Sequence, residues 1–156
     1  MFQKRWERVR ELIRGILSAH LTPLSIGQAV ALGVFIGCLP IYGIHLGVCI
    51  VLARWLKLNE VVVYAGANIT NPVFAPFIIA IEIAIGEYLR FGNINNLDWD
   101  EFQHTSLWTM LKHTPDLLWS CTLGSVLLGL VLGPALGGLA WMVARARQRR
   151  EQQEPV

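Results

Sequence analysis

Between Val61 and Ile81 runs a 21-residue stretch without a charged residue, and Asn71-Pro72 stands at its centre. Asn68 and Thr70 precede the pair, and Pro76 follows it. A helix needs about 20 apolar residues to cross a bilayer. A proline midway frees backbone N–H and C=O groups that hydrocarbon cannot satisfy. Irregular backbone at that depth is therefore confined to places buried in protein or lining a cavity. The break constrains the fold more than any other feature, and it is the chief functional pointer.

Two further runs lack Asp, Glu, Lys and Arg: 39 residues between Arg14 and Arg54, and 28 between Asp116 and Arg145. Charged residues make up 15% of the chain, against about 25% in ordinary soluble domains. The expected class is an all-α integral membrane protein. Residues 1–20 form a basic amphipathic interfacial helix. Residues 21–144 form one membrane domain with runs 23–57, 60–90 and 115–144 and an acidic outer connection 91–114. Residues 145–156 form a basic cytoplasmic tail. No cleavable signal is evident, because the first 20 residues are too charged for an apolar signal core. Cys38, Cys49 and Cys121 fall in apolar runs without metal-ligand spacing and read as inert buried thiols. No metal or cofactor is expected.

The charge layout orients the chain. Residues 1–14 carry five Lys/Arg and two Glu, and residues 145–156 carry four Arg and two Glu. Residues 82–116 carry six acids against Arg90 and Lys112. Basic connections stay in the cytoplasm, so both termini lie inside and the acidic stretch outside. That requires an even number of crossings. A first run folded back at Pro40, either as a deep re-entrant hairpin or as two short tilted spans, satisfies it. Each limb, of about 17 residues, then spans about 25 Å.

Phe2, Trp6, Val9, Ile13, Ile16 and Leu17 recur at helical spacing with Lys4, Arg5 and Arg8 between them, which suits either a membrane interface or a cytosolic helix packed on the protein itself. Thr22-Pro23 reads as N-cap and first helical position of a helix running to about Leu39. Its Ala29, Gly33 and Gly37 form a small-residue face for close packing. A second helix follows the Pro40–Gly43 turn, from Ile44 to Lys57. Asn59 caps the next helix, and Glu60 suits its positive end. That helix meets the Asn68–Pro76 break and resumes as Phe77–Leu89. Asp98 and Glu101 resemble a capping box, and Trp99, Phe102, Trp108 and Leu111 an aromatic belt. The last helix runs to about Ala144 and repeats small residues at Ser125, Gly129, Gly133 and Gly137. A shift of 32 residues superposes Pro40 on Pro72, a weak internal echo. Paired interrupted segments are the sequence pointer to a transporter-type site.

Pro40-Ile41-Tyr42-Gly43-Ile44-His45, Arg54 through Leu58-Asn59, and Asn71-Pro72 with Pro76 and Gly86 together resemble the prokaryotic membrane family called domain of unknown function 2062. The resemblance covers roughly Leu21 to Phe91. It implies a bacterial inner-membrane protein. Some members carry glycosyltransferase modules, which implies lipid-linked sugar or envelope-lipid biology by association. The family brings no agreed activity.

The substrate-binding candidates are Asn71, Asn68, Thr70, His45, Tyr42 and Glu82. A half-helix starting at Pro72 or Pro76 offers free N–H groups and a positive dipole end to a phosphate or carboxylate. Alternatively Asn71 only caps that half-helix. His45 pairs with Glu82, binds a phosphate, or bonds a carbonyl freed by Pro40; an ionisable group at membrane depth is a functional candidate by default. Glu82 either lies toward one interface within the site or faces the outer water. Arg54 and Lys57 touch lipid phosphates or merely snorkel. Pro40, Gly43, Asn59, Pro72 and Pro76 are structural breaks and caps, and Gly33, Gly37, Gly129, Gly133 and Gly137 pack helices. Nucleotide, P-loop and hydrolase motifs are missing from the sequence. The expectation is a transport or lipid-handling protein for an anionic lipid or lipid-linked headgroup, or else a membrane scaffold for an envelope enzyme. The expected partners are lipid and either a second copy joined through the glycine faces or that enzyme; nucleic acid is not expected.

Overall fold

The computed structural model describes residues 21–41, 44–68, 75–93 and 115–153. The expectations for residues 1–20, Tyr42, Gly43, Thr70, Asn71, Pro72, most of the acidic connection and residues 154–156 lie outside these, as does the side chain of Pro76. Among the described residues there are five helices and no strand: α1 Pro23–Cys38, α2 His45–Trp55, α3 Glu60–Ala67, α4 Ala75–Phe91 and α5 Pro115–Glu151.

Local chemistry explains the boundaries. Thr22 accepts the Ser25 N–H on its hydroxyl, with Pro23 at the first helical position. Leu39 is extended (φ −69°, ψ 139°), as a residue before proline prefers to be, and α1 stops there. Asn59 Oδ1 accepts the N–H groups of Val61 and Val62, capping α3.

The second limb is shorter than expected. α2 has 11 residues, about 16 Å at 1.5 Å per residue. The chain reverses at Lys57, which adopts a left-handed φ of 55°. Lys57 N–H bonds Arg54 O at 3.1 Å and Leu58 N–H bonds Ala53 O at 2.8 Å. This is the paired 5→2 and 6→1 pattern of a Schellman cap, built here without glycine. Arg54 Nε meets Glu60 Oε1 at 2.6 Å across the turn.

The last helix is longer than expected. It passes Ala144 to Glu151, so Arg145, Arg147, Arg149 and Arg150 sit on helix rather than on a separate tail, and Pro134 does not end it. Its 37 residues extend about 55 Å. It is the one helix among the described residues long and apolar enough to cross a membrane, and only 17% of its most apolar window is buried. Leu123, Leu127, Leu130 and Val131 on its outer face are exposed.

α1 is the hub and packs against α5, α3 and α2, while α4 packs against α5. Small residues set each seam. A methyl at Gly33 would overlap the Val63 carbonyl and come within 3.0 Å of Gly66 Cα. One at Gly129 would lie 2.9 Å from Phe35 Cδ2, one at Gly133 2.9 Å from Ala31 O, and one at Gly137 2.6 Å from Gly27 O. The glycine stripe of α5 is therefore used up inside the chain, against α1. It does not offer a face to a second copy, which corrects the expected mode of self-association. Gly33 turns to α3, while Gly27, Ala31 and Phe35 turn to α5, so α1 carries two packing faces rather than one.

Candidate functional site

The α4–α5 seam follows from helical spacing. Ile79, Glu82, Ile83, Gly86, Glu87 and Arg90 recur at intervals of three and four and share one face of α4. On α5 the matching face is Asp116, Ser120, Cys121 and Gly124. Methyl groups at Gly86 and Gly124 would overlap the backbones of Ser120 and Glu82 respectively. The helices thus touch at backbone distance, and every polar side chain between them must find its partner inside the seam.

At one end of the seam that condition is met. Arg90 donates from Nη1 to Asp116 O at 2.7 Å and to Ser120 Oγ at 2.9 Å, and from Nη2 to Asp116 Oδ1 at 2.9 Å. Its Cζ stands 4.7 Å from the Phe91 ring centroid. Ser120 Oγ lies 2.5 Å from Glu87 Oε1 and 3.1 Å from Asp116 O. A hydroxyl has one proton to give, and the carboxylate takes it. Glu87 is 3% exposed and Ser120 fully buried, so the cluster is a polar plug, one cation against two carboxylates, at the Arg90 end of the seam.

Further in, the condition fails. Glu82 is 1% exposed. Cys121 donates its thiol weakly to Glu82 Oε2 at 3.7 Å, and Glu82 Oε1 has no hydrogen-bond partner among the described residues. Ile79, Ile83 and Cys121 form the buried cluster alongside. The alternative in which Glu82 faces outer water is overturned: the small side of α5 admits the carboxyl to the interior.

Pairings along α5 give the depth of each feature. Phe35 meets Gly129 while Gly27 meets Gly137, so α1 runs antiparallel to α5. Glu82 meets Gly124 while Gly86 meets Ser120, so α4 does too. The Phe35 and Glu82 levels are thus five residues of α5 apart, about 7.5 Å, and Cys38 stands about 4.5 Å beyond Phe35. The carboxyl is level, to within about 3 Å, with the end of α1 at the Pro40 break. Ala75, where α4 starts, lies seven residues before Glu82, about 10 Å away along the axis. The first break and the buried acid lie at one level along α5, and α4 starts about 10 Å from the acid.

The other sequence candidates are placed differently. Asn68 donates its Nδ2 to Tyr64 O at 2.8 Å and closes the last turn of α3. His45 is half-buried at the start of α2. No described hydrogen bond or ion pair joins it to Glu82; α2 packs on α1 and α3, whereas Glu82 lies between α4 and α5. An apolar groove of about 370 Å³ runs along α2, lined among the described residues by Ile44, Gly47, Val48, Val51 and Leu52. No group of three or more potential metal ligands occurs among the described residues. Sequence reading missed the Arg90–Ser120–Glu87–Asp116 cluster. Its signal was present: Gly86 sits between the acids at helical spacing, and Ser120, Cys121 and Gly124 extend the small-residue side of the last helix.

The family model for an uncharacterized protein conserved in bacteria (DUF2062) matches residues 6–153, and the chain belongs to that family. No curated protein and no solved structure matches it.

Proposed function

We propose that this family member is a multi-pass protein of the bacterial inner membrane, with both termini cytoplasmic, that handles an anionic lipid or lipid-linked headgroup at the zone where α1 and α3 break. The membrane reading is supported by α5, whose apolar outer face is left open to the surroundings along a length greater than a bilayer core. In this reading α1 and α2 form the folded-back hairpin, α3 and α4 form the interrupted crossing, and α5 is the returning span. Arg145 to Arg150 then stand on the inner side, where anionic lipid attracts them.

The observation that carries the lipid assignment is the apolar groove along α2, whose lining starts at Ile44, the residue before the half-buried His45. A groove without polar lining suits an acyl chain. The imidazole of His45, next in sequence to the lining residue Ile44, suits the phosphate end of the same molecule.

The test is transfer of a headgroup-labelled phosphatidylglycerol between the leaflets of vesicles containing the full-length protein. The wild type is expected to accelerate transfer, and His45→Ala and Asn71→Ala to reduce it to the protein-free rate while still accumulating in the membrane. Wild-type vesicles no faster than empty ones would end the lipid-handling reading.

A second reading, a non-catalytic scaffold for an envelope enzyme, is favoured by Asn68. Its side chain is spent on capping α3, as a purely structural joint would have it. Loss of both variants from the membrane, rather than loss of transfer, supports this alternative. Any second copy would join through the exposed apolar face of α5, since the glycine stripe is occupied.

A further inference from the structure

Glu82 has no role in the groove or in the polar plug, and its surroundings ask for a ligand. It is a carboxyl 1% exposed, with one oxygen unpartnered and the other facing only a thiol. An unsatisfied carboxylate in such a place carries a large desolvation cost. Three kinds of ligand relieve it: a basic side chain, a metal ion or a proton.

Among the described residues no basic side chain bonds Glu82. Arg90, the cation of the same helix face, is eight residues away, about 12 Å along the axis, and it is committed to Asp116 and Ser120. On α5 the titratable group facing Glu82 is Cys121, and Cys38 at the end of α1 lies within electrostatic reach. Neither brings a positive charge. Glu87, five residues on, adds a negative one. A hard metal ion needs six or more oxygen ligands, and the wall here is Ile79, Ile83 and a sulfur. A proton needs a single oxygen.

We propose that Glu82 is a proton-binding carboxyl set into the α4–α5 seam at the depth of the Pro40 break, and that its protonation is the ion coupling of the transport reaction. The coupling clause rests on the transport reading above; the proton site does not. The proton adds to a carboxylate oxygen of Glu82 and leaves from it, with no other bond changed. Asp116, whose side chain is 78% exposed, is joined through Arg90 and Ser120 to Glu87, which stands about 7.5 Å from Glu82 along α4. When Glu82 is ionised, it and Glu87 repel along one helix face. The seam then loosens where the backbones of Glu82 and Gly124 touch. Proton binding closes it.

The experiment is infrared difference spectroscopy between acidic and alkaline buffer on the full-length protein in phosphatidylethanolamine–phosphatidylglycerol vesicles. A protonated-carboxyl C=O band is expected in the wild type, absent in Glu82→Gln and retained in Glu87→Gln. Cys121→Ser is expected to shift that band, because it changes the neighbour of Oε2. Absence of the band from the wild type, or its survival in Glu82→Gln, overturns the proposal. If Glu82→Gln does not accumulate, Cys121→Ser decides alone: a shifted band supports the site and an unshifted band refutes it. These readouts need no transport. A protein that moves no lipid yet shows the band keeps the proton site and loses only the lipid reading.

Discussion

Replacing Gly86 and Gly124 by alanine tests the α4–α5 seam most directly. At both positions a methyl would overlap backbone of the opposite helix, at Ser120 and Glu82 respectively. Backbone cannot rotate aside as a side chain can, so the helices must separate. Overpacking a tight contact costs about 1–3 kcal/mol, and a backbone clash belongs in the upper half of that range. Alanine returns about 1 kcal/mol of helix propensity. Each single substitution should therefore destabilise by about 1–2 kcal/mol, the difference of those terms. The double variant is more informative. Once the first methyl has pushed the helices apart, the second meets less resistance and still improves propensity. It should cost little more than one single change, a coupling of about 1–2 kcal/mol. Gly47→Ala is the control, since nothing lies within 4 Å of the added carbon; it should stabilise by up to about 1 kcal/mol. Unfolding by denaturing detergent in mixed micelles, followed by tryptophan fluorescence, measures all four. If the seam variants stabilise as Gly47→Ala does, or if the double change equals the sum of the singles, the helices are not in backbone contact and the enclosure of Glu82 fails with it.

Further expectations concern the turn between α2 and α3. Asn59→Ala removes the acceptor for two N–H groups and should cost about 1 kcal/mol, read from the same detergent titration. Lys57→Gly removes a left-handed non-glycine residue and should raise stability by up to about 1 kcal/mol; a loss would show that the lysine side chain makes a contact worth more than the strain. Arg54→Ala breaks an ion pair whose arginine side chain is 72% exposed and should change stability by less than about 1 kcal/mol. A larger loss, measured in high salt as well as low, would mean that the pair is shielded from solvent by lipid.

The local chemistry of the chain is legible in the order of its residues. Thr22-Pro23, Pro40, Asn59 and the interruption after Asn68 act through one or two neighbours: a side-chain oxygen accepting an N–H, or a ring that cannot donate one. Such effects reach no more than three or four residues along the chain. The turn at Lys57 is harder to see, because a Schellman cap without glycine leaves little mark in composition. α2 consequently ends two residues sooner than its apolar pattern suggests. Asn68 is visible as a polar residue at a break, yet whether it caps or recognises depends on where its amide points.

Glu82 marks the limit of that reading. Sequence alone determined that an acid interrupts an apolar run and that small residues line one side of the last helix. It left open whether the acid meets water, an interface or the interior, and whether the glycine stripe meets a second copy or another helix of the same chain. Those are questions of which faces meet. They are decided by contacts between residues 30 or more positions apart, through the fit of Gly86 and Gly124 against backbone and of Gly129, Gly133 and Gly137 against α1. Periodicity defines a face but carries no record of its partner. Only packing at backbone distance placed Glu82 in the interior with an oxygen left over, and a carboxyl in that position is what a proton site requires.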